Sequence, residues 1–116
     1  MAIDAAILRE LKALDEASGG GLIAELIGMF ASATPERLAK LRASLAANDA
    51  KAVASEAHAM KGSAGAVGAS LMLTLAGALE AEAKQGNLAE ANARIAAMEA
   101  ELPVVLGELE QENQRK

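Results

Sequence analysis

Apolar residues recur at intervals of three and four along almost the whole chain, the spacing of one face of an α-helix, and this pattern restricts the fold more than any other feature. Ile3, Ile7, Leu11 and Leu14 make a first stripe, and Ile23, Ile27, Phe30, Leu38, Leu41 and Leu45 a second. Val53, Ala57, Met60, Ala64 and Val67 make the third, and Met72, Leu75, Ala76, Leu79 and Ala83 the fourth. The last runs Leu88, Ala91, Ile95, Met98, Leu102, Val105, Leu109. Turn signals separate them: Ser18-Gly19-Gly20-Gly21, Asn48-Asp49 and Gly86-Asn87. Asp4 and Asp49 are placed to cap helix N-termini, with Ile3 and Leu8 closing over Asp4 as a hydrophobic staple, and Ser70 is the expected start of the fourth helix. Thr34-Pro35 would serve as a fresh helix start, but the apolar phase persists across it, so the spacing predicts one kinked helix there. Pro103 is expected to kink the last helix.

Five stripes with short connections predict an all-α fold: an antiparallel four-helix bundle with an additional short N-terminal helix. The 116 residues suffice for one core, so residues 1–112 are read as a single domain and 113–116 as a frayed polar tail. Hydrophobic residues make up 53% of the chain, yet much of that is alanine and Phe30 is the lone aromatic, a composition that suits closely approaching helices better than a β-sandwich. Sustained heptads also fit an intermolecular coiled coil, but the turns near 48 and 86 favour folding back within one chain.

Composition excludes several function classes. Without cysteine there is no disulfide or thiolate chemistry, and a reducing cytosol is permitted. A formal charge of −5 with no basic cluster argues against nucleic acid and anionic membranes. No apolar run approaches the roughly 20 residues that span a bilayer, and the N-terminus lacks the pattern of a signal peptide. A cytoplasmic protein is expected, and Met1 with the polar tail is read as marking a free-standing chain.

The stretch from 56 to 70, EAHAMKGSAGAVGAS, holds the single histidine, His58, followed by Gly62, Gly65 and Gly68. At about 100° per residue, His58 lies about 140° from Val53, away from the apolar face of its helix. Ala54, Ser55, Lys61 and Gly62 share its face, with Gly65 a turn further on. Side chains lean toward a helix N-terminus, so the stem of Lys61 leans back toward the imidazole. An interior glycine costs about 0.8–1 kcal/mol relative to alanine. Gly65 and Gly68 are each explicable as a helix end, whereas Gly62 reads as room for something bulky to reach His58. One histidine without carboxylates at ligand spacing does not make a metal site. As nucleophiles beside it, Ser63 points elsewhere on the helix and Ser55 would need oxyanion donors of its own. An exposed neutral imidazole beside one cation suits the acceptance of a phosphoryl group, with Lys61 offsetting charge on its oxygens and a nearby serine such as Ser63 adding a hydrogen bond.

The run His58-Ala59-Met60-Lys61-Gly62-Ser63-Ala64-Gly65-Ala66-Val67-Gly68-Ala69 resembles the signature of histidine phosphotransfer (HPt) domains of multistep phosphorelays. The likeness extends to the Phe30 helix, the Asn48-Asp49 turn, and Leu79-Glu80 followed by Gly86-Asn87. Ala66 departs from it, since many members carry asparagine there. The resemblance implies a four-helix bundle in which His58 exchanges a phosphoryl group with aspartates of response-regulator receiver domains, including the receiver of a hybrid histidine kinase. It implies a carrier without ATP-dependent kinase activity or a cofactor of its own, Mg²⁺ belonging to the receiver, and the sequence contains no P-loop. Lys61 would steady the phosphoryl group and Gly62 would give the receiver clearance. The helical wheel places a docking patch at Lys51, Ala54, Ser55, Gly62 and Gly65, completed by the preceding helix, on a protein expected to be monomeric. A competing reading is a non-catalytic helical adaptor or homodimerising bundle, supported by the regular stripe from Leu88 to Leu109. An acidic carrier of a prosthetic group lacks the Asp-Ser-Leu attachment sequence.

Overall fold

The computed structural model describes residues 2–115. Five helices follow one another: α1 (Ala5–Ala17), α2 (Leu22–Ala46), α3 (Ala50–Val67), α4 (Ser70–Lys84) and α5 (Ala91–Gln114). Among the described residues there is no strand, only an isolated antiparallel bridge between Ile3 and Ala69. The four longer helices pack as a ring: α3 against α2 and α4, and α5 against α2 and α4, while α1 lies on α2 and α3. The resulting helical bundle measures 46 × 22 × 21 Å.

Local chemistry sets the helix ends. The Asp4 carboxylate accepts from the amides of Ala6 at 2.8 Å and Ile7 at 3.1 Å, and Asp49 accepts from Ala52 at 3.1 Å, so both expected caps form. Gly19, Gly20 and Gly21 all have positive φ, which lets the chain reverse sharply between α1 and α2. The carboxylate of Asp15 then reaches across that turn to the Ile23 amide at 3.1 Å, capping α2 where Gly21 has no side chain to do so. Both α2 and α5 run unbroken through Pro35 and Pro103. Each proline is exposed, so the carbonyls it leaves unpaired one turn earlier lie on solvent-facing sides of their helices.

The core is built from the expected stripes. Leu41, Val53, Met60, Met72, Leu79, Ile95, Met98, Val105 and Leu109 are fully or almost fully buried, and Phe30 packs among them. Truncating any of the larger ones to alanine would remove about 2–5 kcal/mol. The N-terminal segment closes one end of the bundle. Ile3 is buried, the Asp4 amide donates to the Gly68 carbonyl at 2.7 Å, and the Ser70 amide donates to Ala2 at 3.2 Å. The Glu108 carboxylate of α5 accepts from the Ala2 and Ile3 amides at 2.6 and 3.2 Å. These bonds pin the corner between α3 and α4, which fixes the C-terminal end of the histidine-bearing helix.

Four expectations need correction. Leu14 is 57% exposed: α1 rests on the bundle through Leu8 and Leu11, and its last turn buries no residue. The fifth helix begins at Ala91 rather than Leu88, which packs against the core from the preceding turn. Residues 113 and 114 are helical and not a frayed tail: Glu112 pairs with Lys12 of α1 at 3.3 Å, which anchors the end of α5, and Lys116 lies outside the described residues. Ala54 belongs to the core, since α3 has neighbours on two sides and its covered arc is wider than a single stripe.

Candidate functional site

Midway along α3 the His58 side chain is 70% exposed, on the side away from the Val53–Val67 stripe. It is not free of the fold. Its Nδ1 lies 2.8 Å from Oε2 of Glu80, a residue of α4 whose side chain is only 6% exposed. Lys61, one turn beyond His58, donates from Nζ to the other oxygen, Oε1, at 2.8 Å. Lys84, one turn along α4 from Glu80, places Nζ 3.2 Å from Oε2. One buried carboxylate therefore gathers an imidazole and two ammonium groups from two helices.

The packing of α3 on α4 makes this possible. Gly77, one turn before Glu80, carries no side chain, and the Lys61 stem passes there: a Cβ added at Gly77 would sit 3.7 Å from Lys61 Cδ. The lysine stem thus crosses from α3 to the carboxylate over the backbone of Gly77, at a distance where even a methyl group would be in ordinary van der Waals contact. The ion pair holds the Glu80 carboxyl down to about 2, chiefly through the hydrogen bond from Lys61, with Lys84 and His58 adding to it against the opposing effect of burial. Glu80 is thus a carboxylate that only accepts hydrogen bonds. Geometry then fixes the ring: Nδ1 must carry a proton and donate to Oε2, so that in the neutral imidazole Nε2 holds the lone pair and is the nitrogen free to react.

The remaining candidates are spread around this centre. Gly62 is exposed, and a Cβ built on it would meet nothing within 4 Å. Lys51 and Ser55 are exposed, and Gly65 is half-buried in the helix interior with Leu73 Cδ1 3.9 Å from a notional Cβ. Gly68, with φ 72°, is the residue that ends α3. Ser63 is not brought to the His58–Glu80 pair. It lines a separate groove of about 190 Å³ between α2 and α3, with Leu26, Met29, Thr34, Arg37 and Ala66 among its walls. The Thr34 hydroxyl, fully buried there, has no hydrogen-bond partner among the described residues.

Glu80 and Lys84 escaped the helical-wheel reading of α3 because they belong to a different helix. A signal for Glu80 was present nonetheless. It falls four residues after Ala76 and three before Ala83, in phase with the buried stripe of α4, and a carboxylate in a core phase requires a partner. Lys84 follows it at the i,i+4 spacing of a helical ion pair.

The Hpt domain family model matches residues 25–114. The crystal structure of histidine-containing phosphotransfer protein B (HptB) from Pseudomonas aeruginosa PAO1 aligns with a TM-score of 0.86 and 34% sequence identity, covering 99% of this chain and 96% of that one. Comparison with curated proteins gives no match. No helix among the described residues is long and apolar enough to cross a membrane. With the family model spanning most of the chain and a like structure matching it end to end, the chain belongs to the Hpt domain family of phosphotransfer carriers.

Proposed function

We propose that this chain carries phosphoryl groups between aspartates of response-regulator receiver domains, with His58 as the acceptor. The observation that carries this reading is the exposed ring whose Nδ1 is held by a buried, ionised Glu80. In the forward step the Nε2 lone pair forms a bond to the phosphorus of the receiver's aspartyl phosphate. The bond from phosphorus to the aspartyl oxygen breaks, and the aspartate departs as a carboxylate. The ring keeps its Nδ1 proton and becomes cationic, and the Glu80 carboxylate 2.8 Å away offsets that charge. The reverse step returns a neutral imidazole as leaving group. Lys61, 40% exposed, is close enough to turn from Glu80 toward the phosphoryl oxygens.

Open space over Gly62 supports its role as clearance for the receiver's active site. Docking would use Lys51, Ser55, Gly62 and Gly65 and extend toward the α2 side of the helix. Ser63, turned toward that groove, is assigned to the docking side in place of a hydrogen bond to the phosphoryl group. Mg²⁺ would be held by the receiver, and this chain would have no kinase activity of its own. The ring of packing α2–α3–α4–α5, joined by short turns, supports an antiparallel four-helix bundle with α1 added. Ala91, Ile95, Met98, Val105 and Leu109 are spent in the chain's own core, which favours a monomer over a homodimerising adaptor.

The test is transfer from a phosphorylated receiver to the wild type and to His58→Gln. Label is expected on the wild type alone, and equal labelling of the variant would overturn the assignment. Lys61→Ala should slow transfer or shorten the life of the phosphorylated form; it should lower stability without unfolding the protein, since Lys84 still pairs with Glu80.

A further inference from the structure

The Glu80 carboxylate has more cationic partners than holding one imidazole requires. Oε1 is taken by Lys61 at 2.8 Å, while Oε2 is shared between His58 Nδ1 at 2.8 Å and Lys84 Nζ at 3.2 Å. Under the function proposed above, Lys61 has two uses that exclude each other. It cannot both lie against a carboxylate oxygen of a side chain that is 6% exposed and reach out to a phosphoryl group over the ring.

If Lys61 left and nothing replaced it, a nearly buried carboxylate would keep only a neutral N–H donor. Burial then favours protonation of the carboxyl group. A protonated Glu80 can donate to Nδ1, and a ring that accepts at Nδ1 carries its proton on Nε2, the nitrogen that must attack. Loss of the counter-charge would thus switch off the nucleophile.

Lys84 answers this. It stands on α4 with Glu80, four residues on, so it does not move with Lys61 or with the approach of a partner to α3. Its ammonium lies on the same oxygen that receives Nδ1, and with 66% of its side chain exposed it makes no other ion pair among the described residues. We propose that Lys84 is a positioning residue: it keeps Glu80 ionised and aimed at His58 Nδ1 while Lys61 turns to the phosphoryl group. It acts through Glu80 and need not touch the phosphoryl group.

The inference rests on the phosphotransfer reading but has a readout that does not. Nitrogen-15 NMR of the imidazole reports which ring nitrogen holds the proton in the neutral ring, with no receiver present. Lys61→Met should retain the Nδ1–H form, because Lys84 alone suffices. Lys61→Met combined with Lys84→Met should shift the ring toward Nε2–H, and Lys61→Met with Lys84→Arg should restore Nδ1–H. In single-turnover transfer from a phosphorylated receiver, Lys84→Met should be slower by about tenfold, by analogy with the low end of the loss when the partner that orients a metal-ligating imidazole is removed, with Lys84→Arg near wild type. Unfolding midpoints should barely move, since Lys84 is an exposed lysine. An unchanged tautomer in the double variant, or wild-type transfer by Lys84→Met, would overturn the proposal. Failure of the wild type itself to take label on His58 would instead overturn the phosphotransfer reading, and the tautomer would still judge Lys84.

Discussion

Gly62 should separate stability from function. It lies inside α3, in ordinary helical backbone, and a Cβ placed there meets nothing within 4 Å. Replacement by alanine therefore adds no clash and recovers the helix propensity that glycine forfeits, about 0.8–1 kcal/mol. For a domain of this size that corresponds to a rise of about 3–6 °C in the thermal midpoint. Leucine, nearly as good a helix former, should stabilise comparably. Transfer should respond in the opposite sense. A leucine at 62 projects its branched side chain from the exposed face one turn beyond His58, where the receiver must close. Misplacing reacting groups by about 1 Å can cost on the order of 100-fold, so a loss of at least that size is expected for Gly62→Leu, with a smaller loss for Gly62→Ala. The assay pairs thermal unfolding of the isolated protein with single-turnover transfer. A destabilised Gly62→Ala would refute the claim of open space, and wild-type transfer by Gly62→Leu would refute clearance as the reason for the glycine.

Two further substitutions test the packing. Gly68→Ala should destabilise by at least about 1–2 kcal/mol, the cost of a left-handed backbone, because Gly68 has φ 72° and a Cβ there would lie 2.8 Å from Ile7 Cβ; a denaturation midpoint equal to wild type would contradict it. Thr34→Val should stabilise by about 1 kcal/mol, since it removes a buried hydroxyl that has no partner while keeping the shape of the side chain, and a lowered midpoint in urea would show that the hydroxyl is satisfied.

What the sequence could reveal followed from what a single helix can encode. Period and caps are local, so α3 was legible down to Asp49 at its start, Val53 to Val67 along its buried face, and His58 outside that face. The surrounding helices were legible for the same reason. Pairings between helices are not local. Ala54 looks exposed on a one-sided wheel but is covered because α3 has two neighbours, and Leu14 looks buried although the last turn of α1 buries no residue. On α4 the buried phase marks Glu80 as a carboxylate in need of a partner, but the same limit hides which groups of α3 it meets. Nothing in the spacing of α3 shows that Lys61 crosses Gly77 to a carboxylate, or that this carboxylate holds the histidine.

That carboxylate also makes the site sensitive to acid in a definite direction. Glu80 is held down to about 2 in the folded protein, chiefly by the hydrogen bond from Lys61, whereas in the unfolded chain it titrates as an ordinary glutamate near 4.3. A depressed folded value means that the unfolded state binds the proton more readily. Glu80 therefore contributes stability that is fully present above the ordinary glutamate range and is lost as pH falls from there toward about 2. The wild type should lose stability across that window more steeply than Glu80→Gln, which has no carboxyl group to titrate. Above pH 6 the variant should be the less stable of the two, because a neutral amide cannot balance Lys61 and Lys84. Its His58 should also lose its fixed tautomer, since an amide can turn either its oxygen or its nitrogen to Nδ1. Parallel stability–pH curves for the two proteins, with no convergence in acid, would show that the ion cluster contributes nothing to folding and would remove the reason for treating Glu80 as permanently ionised.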